Sequence, residues 1–178
     1  MVYKSILAGF LIGCGAGIST AFGGGVFGAF LFSFGLISVL TFELPLYTGM
    51  IGFYREYSFW DLYLTFLFNV IGAYLAYLII GIDTSAIATY KLSQSNFFFK
   101  GVGCGALMYV AVHSWRKIRY APVVVCAVMT FILSGFEHCI ADIYYFAHTN
   151  IKDCAMPYAQ IFAGNTVGGI LAGKFLDK

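Results

Sequence analysis

Charge is what this chain is short of: Lys, Arg, Asp and Glu make up 10% of its 178 residues, where soluble domains carry about a quarter. With 61% hydrophobic residues and a mean hydropathy of +0.86, that shortage excludes an ordinary soluble domain. The basic residues form no run suited to a nucleic-acid backbone, so nucleic acid is not an expected partner. The five cysteines (Cys14, Cys104, Cys126, Cys139, Cys154) have no CxxC spacing, and four lie in apolar stretches. They read as small buried hydrophobes rather than disulfides, with Cys154 in an outer connection. No His and Cys share the spacing of a metal site, and no Ser/His/Asp order suggests hydrolysis, so neither metal nor cofactor is expected. The glycine-rich runs from Gly13 and from Gly23 follow no strand, which favours close helix packing over phosphate binding.

What the chain does have is length enough for membrane crossing. At roughly 20 residues per span, six spans use about 120 of the 178 residues and leave room for one transmembrane domain, residues 1–178. The candidate spans are Ser5 to Ala21, Gly24 to Tyr54, Phe59 to Ile80, Phe97 to Trp115, Tyr120 to Ala147 and Tyr158 to Phe175, each bounded by charge, Pro or polar clusters. The first shows no clear cleavage site and reads as a span rather than a signal peptide. The second and fifth are too long for a hydrocarbon core of about 30 Å, which predicts that both helices break in the middle. Pro45 supplies one reason, since it lacks an N–H and pushes Leu44 out of the helical region. With both termini inside, Lys4, Arg55, Arg116, Lys117, Arg119, Lys174 and Lys178 are cytoplasmic and Lys91, Lys100 and Lys152 are outside, in keeping with the positive-inside rule.

Self-similarity predicts the architecture. Gly13-Cys14-Gly15-Ala16 recurs as Gly103-Cys104-Gly105-Ala106, Phe42-Glu43 as Phe136-Glu137, and the motif opened by Asn69 as the one opened by Asn165, at offsets of 90, 94 and 96 residues. Spans one to three, residues 1–82, then repeat as spans four to six, residues 95–178. An odd number of spans per repeat predicts two inverted halves, with the broken helices meeting near the midplane. N–H groups freed at the breaks, with the positive ends of the half-helices, suit an anionic solute.

Into the fifth apolar stretch fall Glu137, His138 and Asp142, at a depth where ionisable groups mark a solute pathway. Gly135-Phe136-Glu137-His138-Cys139-Ile140-Ala141-Asp142 resembles the G-F-E-H-S-I-A-N signature of the formate/nitrite transporter family. Gly35-Leu36-Ile37 followed by Glu43-Leu44-Pro45-Leu46-Tyr47-Thr48-Gly49 is similar to that family's second-span loop, and Gly164-Asn165-Thr166-Val167-Gly168-Gly169 supports the match in the sixth span. The resemblance implies an all-α, aquaporin-like membrane protein, a homopentamer with one pore per protomer. It also implies passive or proton-linked passage of a small monovalent anion or its weak acid, formate or nitrite first and hydrosulfide as the alternative. A prokaryotic plasma membrane is the implied location.

By position, the resemblance makes His138 the central histidine and Thr48 the loop threonine. It assigns Phe32, Leu36, Leu46, Tyr47 and Phe131 to the apolar constrictions, and Lys91 to the outer vestibule. The family carries Asn where this chain has Asp142, and Asn in the fourth span where it has Gly105.

The residues leave other readings open. His138 and Glu137 are equally a buried pair that sets helix packing. Thr48 is equally a hydroxyl bonded to a helical carbonyl, and Phe32 and Leu36, four apart, a packing stripe. Glu137 is expected to accept from N–H groups at its break, Glu43 to do the same in the other half, and Asp142 to pair with His138 if helix resumes between them. Asn165 is expected to tune or support the site. A reading of another class is an intramembrane metal-dependent enzyme built on Glu137, His138 and Asp142. A neutral-solute channel is disfavoured by the lack of paired Asn-Pro-Ala motifs.

Overall fold

The computed structural model describes residues 2–176. Lys178, counted above among the cytoplasmic basic residues, lies outside the described residues. Nine α-helices and one 3₁₀ segment make up the described chain: α1 (Val2–Ala21), α2 (Gly25–Thr41), α3 (Tyr47–Met50), the 3₁₀ segment Ile51–Glu56, α4 (Phe59–Ile80), α5 (Ser85–Leu92), α6 (Phe97–Ile118), α7 (Ala121–Leu133), α8 (Cys139–Tyr145) and α9 (Ile151–Leu176). Helices α1, α4 and α6 are each long and apolar enough to cross a membrane, while α2 and α7 are shorter apolar helices of 17 and 13 residues.

Local chemistry explains the boundaries. Ser58 and Asp61 form a capping box at the start of α4, and Gly81 ends it in the left-handed region at φ 67°. Helix α9 is the exception to the sequence reading, which starts the span after Pro157. It begins seven residues earlier because Asn150 caps it: the Lys152 N–H donates to Asn150 Oδ1 at 3.0 Å, and the Asp153 and Cys154 N–H groups donate to the Asn150 carbonyl.

Both predicted breaks are present, and both use one device. At residues 42–46, Leu44 N–H donates back to the Val39 carbonyl at 2.9 Å, with Glu43 left-handed at φ 51°. At residues 134–138, Phe136 N–H donates back to the Phe131 carbonyl at 2.9 Å, with Gly135 left-handed at φ 66°. Each is a Schellman end, which satisfies the last carbonyls of α2 and α7 before the chain turns.

Two helix pairs form the frame. Helix α1 lies on α4, where a Cβ at Gly9 or Gly72 would overlap the backbone opposite, and α6 lies on α9 in the same way at Gly101, Gly105, Gly164 and Gly168. The 3₁₀ segment crosses α9 at Gly52, Gly169 and Gly173, again with backbone against backbone. Small residues bring helices this close where apolar surroundings give no hydrophobic drive to association. The large side chains Phe22, Phe27, Phe30, Phe34, Trp60, Ile79 and Phe99 point outward and are more than half exposed, which suits lipid.

Candidate functional site

Each break is held by one buried amide. Asn69 Oδ1 accepts the Tyr47 N–H at 2.8 Å, and its Nδ2 donates to the Pro45 and Ser5 carbonyls at 3.0 and 2.7 Å. Asn165 Oδ1 accepts the Cys139 N–H at 2.9 Å, and its Nδ2 donates to the Glu137 and Gly101 carbonyls at 2.8 and 2.9 Å. Backbone left open by the breaks is therefore held by amides and not by the carboxylates expected to do it. Glu43 is instead exposed and paired with Arg119 at 3.0 Å. Glu137 has its carboxylate on the Lys91 ammonium. An amide suits the task because it donates and accepts at once, which a carboxylate cannot do. Asn69 is the functional residue that the site reading passed over, although its motif repeats that of Asn165.

His138 ends the second break in extended conformation and caps α8. Its Nδ1 accepts the Ala141 N–H at 3.2 Å, and its Nε2 lies 2.9 Å from the Thr48 hydroxyl. An accepting Nδ1 leaves the proton of a neutral ring on Nε2, so Nε2–H donates to Thr48 Oγ1. The expected pairing of Asp142 with His138 is not formed, because the imidazole faces α3 and its own helix start. The carboxylate of Asp142 lies 3.2 Å from Lys91 Nζ instead. The freed N–H groups are also largely taken: those of Tyr47, Cys139 and Ala141 go to side chains rather than to open space.

Around this centre the walls are apolar. Phe131 stacks on the His138 ring at 5.9 Å between centroids and meets Phe32 edge to face at 5.7 Å. Phe32, Leu36, Leu46, Thr48, Phe131 and His138 are each at most 3% exposed. Cavities flank the plug. One, of about 580 Å³, is lined by Lys91, Phe32, Phe131, Glu137, His138 and Asp142, and the other, of about 390 Å³, by Leu36, Leu46, Glu43, Trp115, Arg116 and Arg119. Phe32 faces the first and Leu36 the second, one helical turn or roughly 6 Å apart. Tyr47 is placed elsewhere: it packs between Phe66 and Phe162, with its hydroxyl 2.8 Å from Thr166 Oγ1.

Lys91, on the short helix α5, joins this cluster from outside the long helices. Burial works against its charge, but Asp142 and Glu137 beside it outweigh that and hold the ammonium above the ordinary lysine value. Its Nζ also lies 4.8 Å from the centre of the Tyr145 ring. Among the described residues no three His, Cys, Asp or Glu side chains are grouped to hold a metal. Between Glu137 and Asp142 the lysine ammonium takes the place of a cation, and His138 points away from both.

A family model described as formate/nitrite transporter matches residues 1–176. A solved "FNT family ion channel" superposes with a TM-score of 0.85, covering 99% of this chain and 89% of that one at 22% identity. A "pentameric formate channel with formate bound" gives a TM-score of 0.76, covering 98% of this chain and 96% of that one, also at 22% identity. At that identity the likeness is one of fold. Among curated proteins no sequence match was found.

Proposed function

The chain belongs to the formate/nitrite transporter family, and on that premise we propose that each protomer passes formate or nitrite, or the corresponding weak acid, between the Lys91 cavity and the Arg119 cavity. In this reading residues 1–82 and 95–178 are inverted three-span halves of one transmembrane domain. Protomers assemble as a homopentamer in a prokaryotic plasma membrane, with both termini and the Arg119 cavity on the cytoplasmic side. The matching hydrogen bonds of Asn69 and Asn165 support the inverted halves. The carrying observation for transport is the 2.9 Å contact between His138 Nε2 and the Thr48 hydroxyl, set between two cavities in walls that are otherwise apolar.

The mechanism follows from desolvation. A bare anion in an apolar slit loses hydration worth many kcal/mol, while its neutral conjugate acid loses far less. The Nε2–H of His138 and the hydroxyl of Thr48 are the donors available between Phe32, Phe131, Leu36 and Leu46. An arriving anion exchanges the Thr48–His138 bond for bonds to itself, and once Nδ1 has taken a proton from cavity water in place of the Ala141 N–H, the imidazolium gives its Nε2 proton to the anion for the dry step. The ring is left neutral with its proton on Nδ1 and returns to the Nε2–H form by exchange with cavity water, while the acid ionises in the far cavity. Hydrosulfide fits the same donors and is separated from formate and nitrite by flux alone.

The test is uptake of formate, nitrite and hydrosulfide into proteoliposomes across a range of pH, with His138→Phe as the comparison. Flux that falls by orders of magnitude in the variant supports the mechanism, whereas an unchanged rate and pH profile would falsify it.

A further inference from the structure

At the Lys91 cavity two buried carboxylates share one ammonium. Asp142 is fully buried, its one ion pair among the described residues is with Lys91 Nζ at 3.2 Å, and the Glu137 carboxylate lies beside it. Glu137, 2% exposed, takes the same ammonium. Two carboxylates against one ammonium leave a formal charge of minus one in a place that water reaches only through the cavity. An uncompensated buried charge costs several kcal/mol, and proteins relieve that cost by a partner or by a proton.

Among the described residues the neighbours supply no further cation paired with these carboxylates. From α5 and α8 the facing groups are Lys91, Tyr90, Cys139 and Tyr145. From α6 and α9 they are Lys100, Cys104 and Tyr158, and from the break His138. Lys100 lines the cavity but makes no ion pair with either carboxylate among the described residues. His138 spends both ring nitrogens on Ala141 and Thr48.

We propose that Glu137 and Asp142 hold one proton between them, as a proton-binding site separate from His138 that controls whether an anion enters the Lys91 cavity. The inference deepens the transport reading and rests on it for its second half. With the proton bound, the cluster is neutral and the Lys100 ammonium, which also lines the cavity, draws an anion in. Without it, the cluster's charge of minus one offsets that attraction from one turn beyond His138, since Asp142 N–H donates to the His138 carbonyl at 2.9 Å. The proton comes from bulk water through the cavity and returns there, so no other reactant is needed.

Two measurements on the full chain in liposomes decide the matter. Infrared spectra from about pH 5 to about pH 9 are expected to show a protonated-carboxyl band near neutrality that disappears in Asp142→Asn. Carbon-13 labelling of aspartate or glutamate side chains tells which residue carries it, and either answer supports the site. A wild-type spectrum with no such band overturns it, and this holds even if the variant fails to fold. Formate flux in Asp142→Asn is expected to rise about tenfold on the alkaline side, the effect of one unit charge removed at cavity distance, with one proton step lost from the pH profile. An identical pH profile overturns the control of entering anions. Wild-type liposomes that pass no anion overturn the transport reading and that control together, while the infrared band still judges the proton site on its own.

Discussion

Asn69 and Asn165 make the same three hydrogen bonds in the two halves of the chain: one accepted from the first N–H of a short helix, two donated to carbonyls, one of them in the break and one in a neighbouring long helix. Each amide is fully buried, with both N–H donors and the oxygen engaged. Each break is therefore tied to a neighbouring long helix by one such side chain, and that makes its removal informative.

Replacing Asn165 with Ala strands the Cys139 N–H and the Glu137 carbonyl and takes a second bond from the Gly101 carbonyl, which keeps its helical partner. At about 1–3 kcal/mol for each buried group left without a partner, the variant is expected to lose several kcal/mol and melt well below the wild type in detergent. Asn69→Ala is expected to match it. An unaltered melting midpoint in either variant contradicts the role given to these amides.

Thr48→Val keeps the shape of the side chain and removes the oxygen that His138 Nε2 contacts. Losing that partner is worth about 1–2 kcal/mol, or roughly ten-fold in formate flux, whereas Thr48→Ser is expected to retain most of the rate. Liposome uptake measured on both variants checks this, and a Val variant as fast as the Ser variant counts against a donor role.

Leu36 is 1% exposed and faces the Arg119 cavity from the plug. Leu36→Ala is expected to destabilise the protein by about 2–5 kcal/mol while raising flux and admitting larger weak acids. Selectivity measured with acids of increasing size reads the effect. If the variant stays as selective as the wild type, Leu36 belongs to packing alone.

At Gly105, where the family carries Asn, any Cβ would overlap the Asn165 backbone. Gly105→Asn is therefore expected to abolish a monodisperse protein in size-exclusion chromatography rather than restore a missing donor. A well-folded Asn variant shows that α6 and α9 can separate.

How far the sequence carried the structure can be judged from particular residues. Span Phe59 to Ile80 was legible to the residue because Ser58, Asp61 and Gly81 mark its ends locally. Both breaks were legible from excess length, although the second holds no proline and turns on Gly135. The partners of the carboxylates were not legible. Residue spacing placed Asp142 one turn from His138, but the contact that forms is with Lys91, 51 residues earlier in the chain, on a helix whose docking no local pattern reveals. The start of α9 was missed because Pro157 reads as a boundary, while a helix already capped at Asn150 tolerates the loss of one N–H.

The crossing of the 3₁₀ segment over α9 leaves no side chain between Gly52 and Gly173 to act as a bearing. Such a joint cannot slide or tilt without collision, so the first half of the molecule is clamped to the second. Whatever lets a solute through must then be small and local, a swing of the Phe32 and Phe131 rings and a brief parting of Thr48 from His138. Those are shutters moving within a fixed window frame, on side-chain timescales rather than the microseconds to milliseconds of domain rocking.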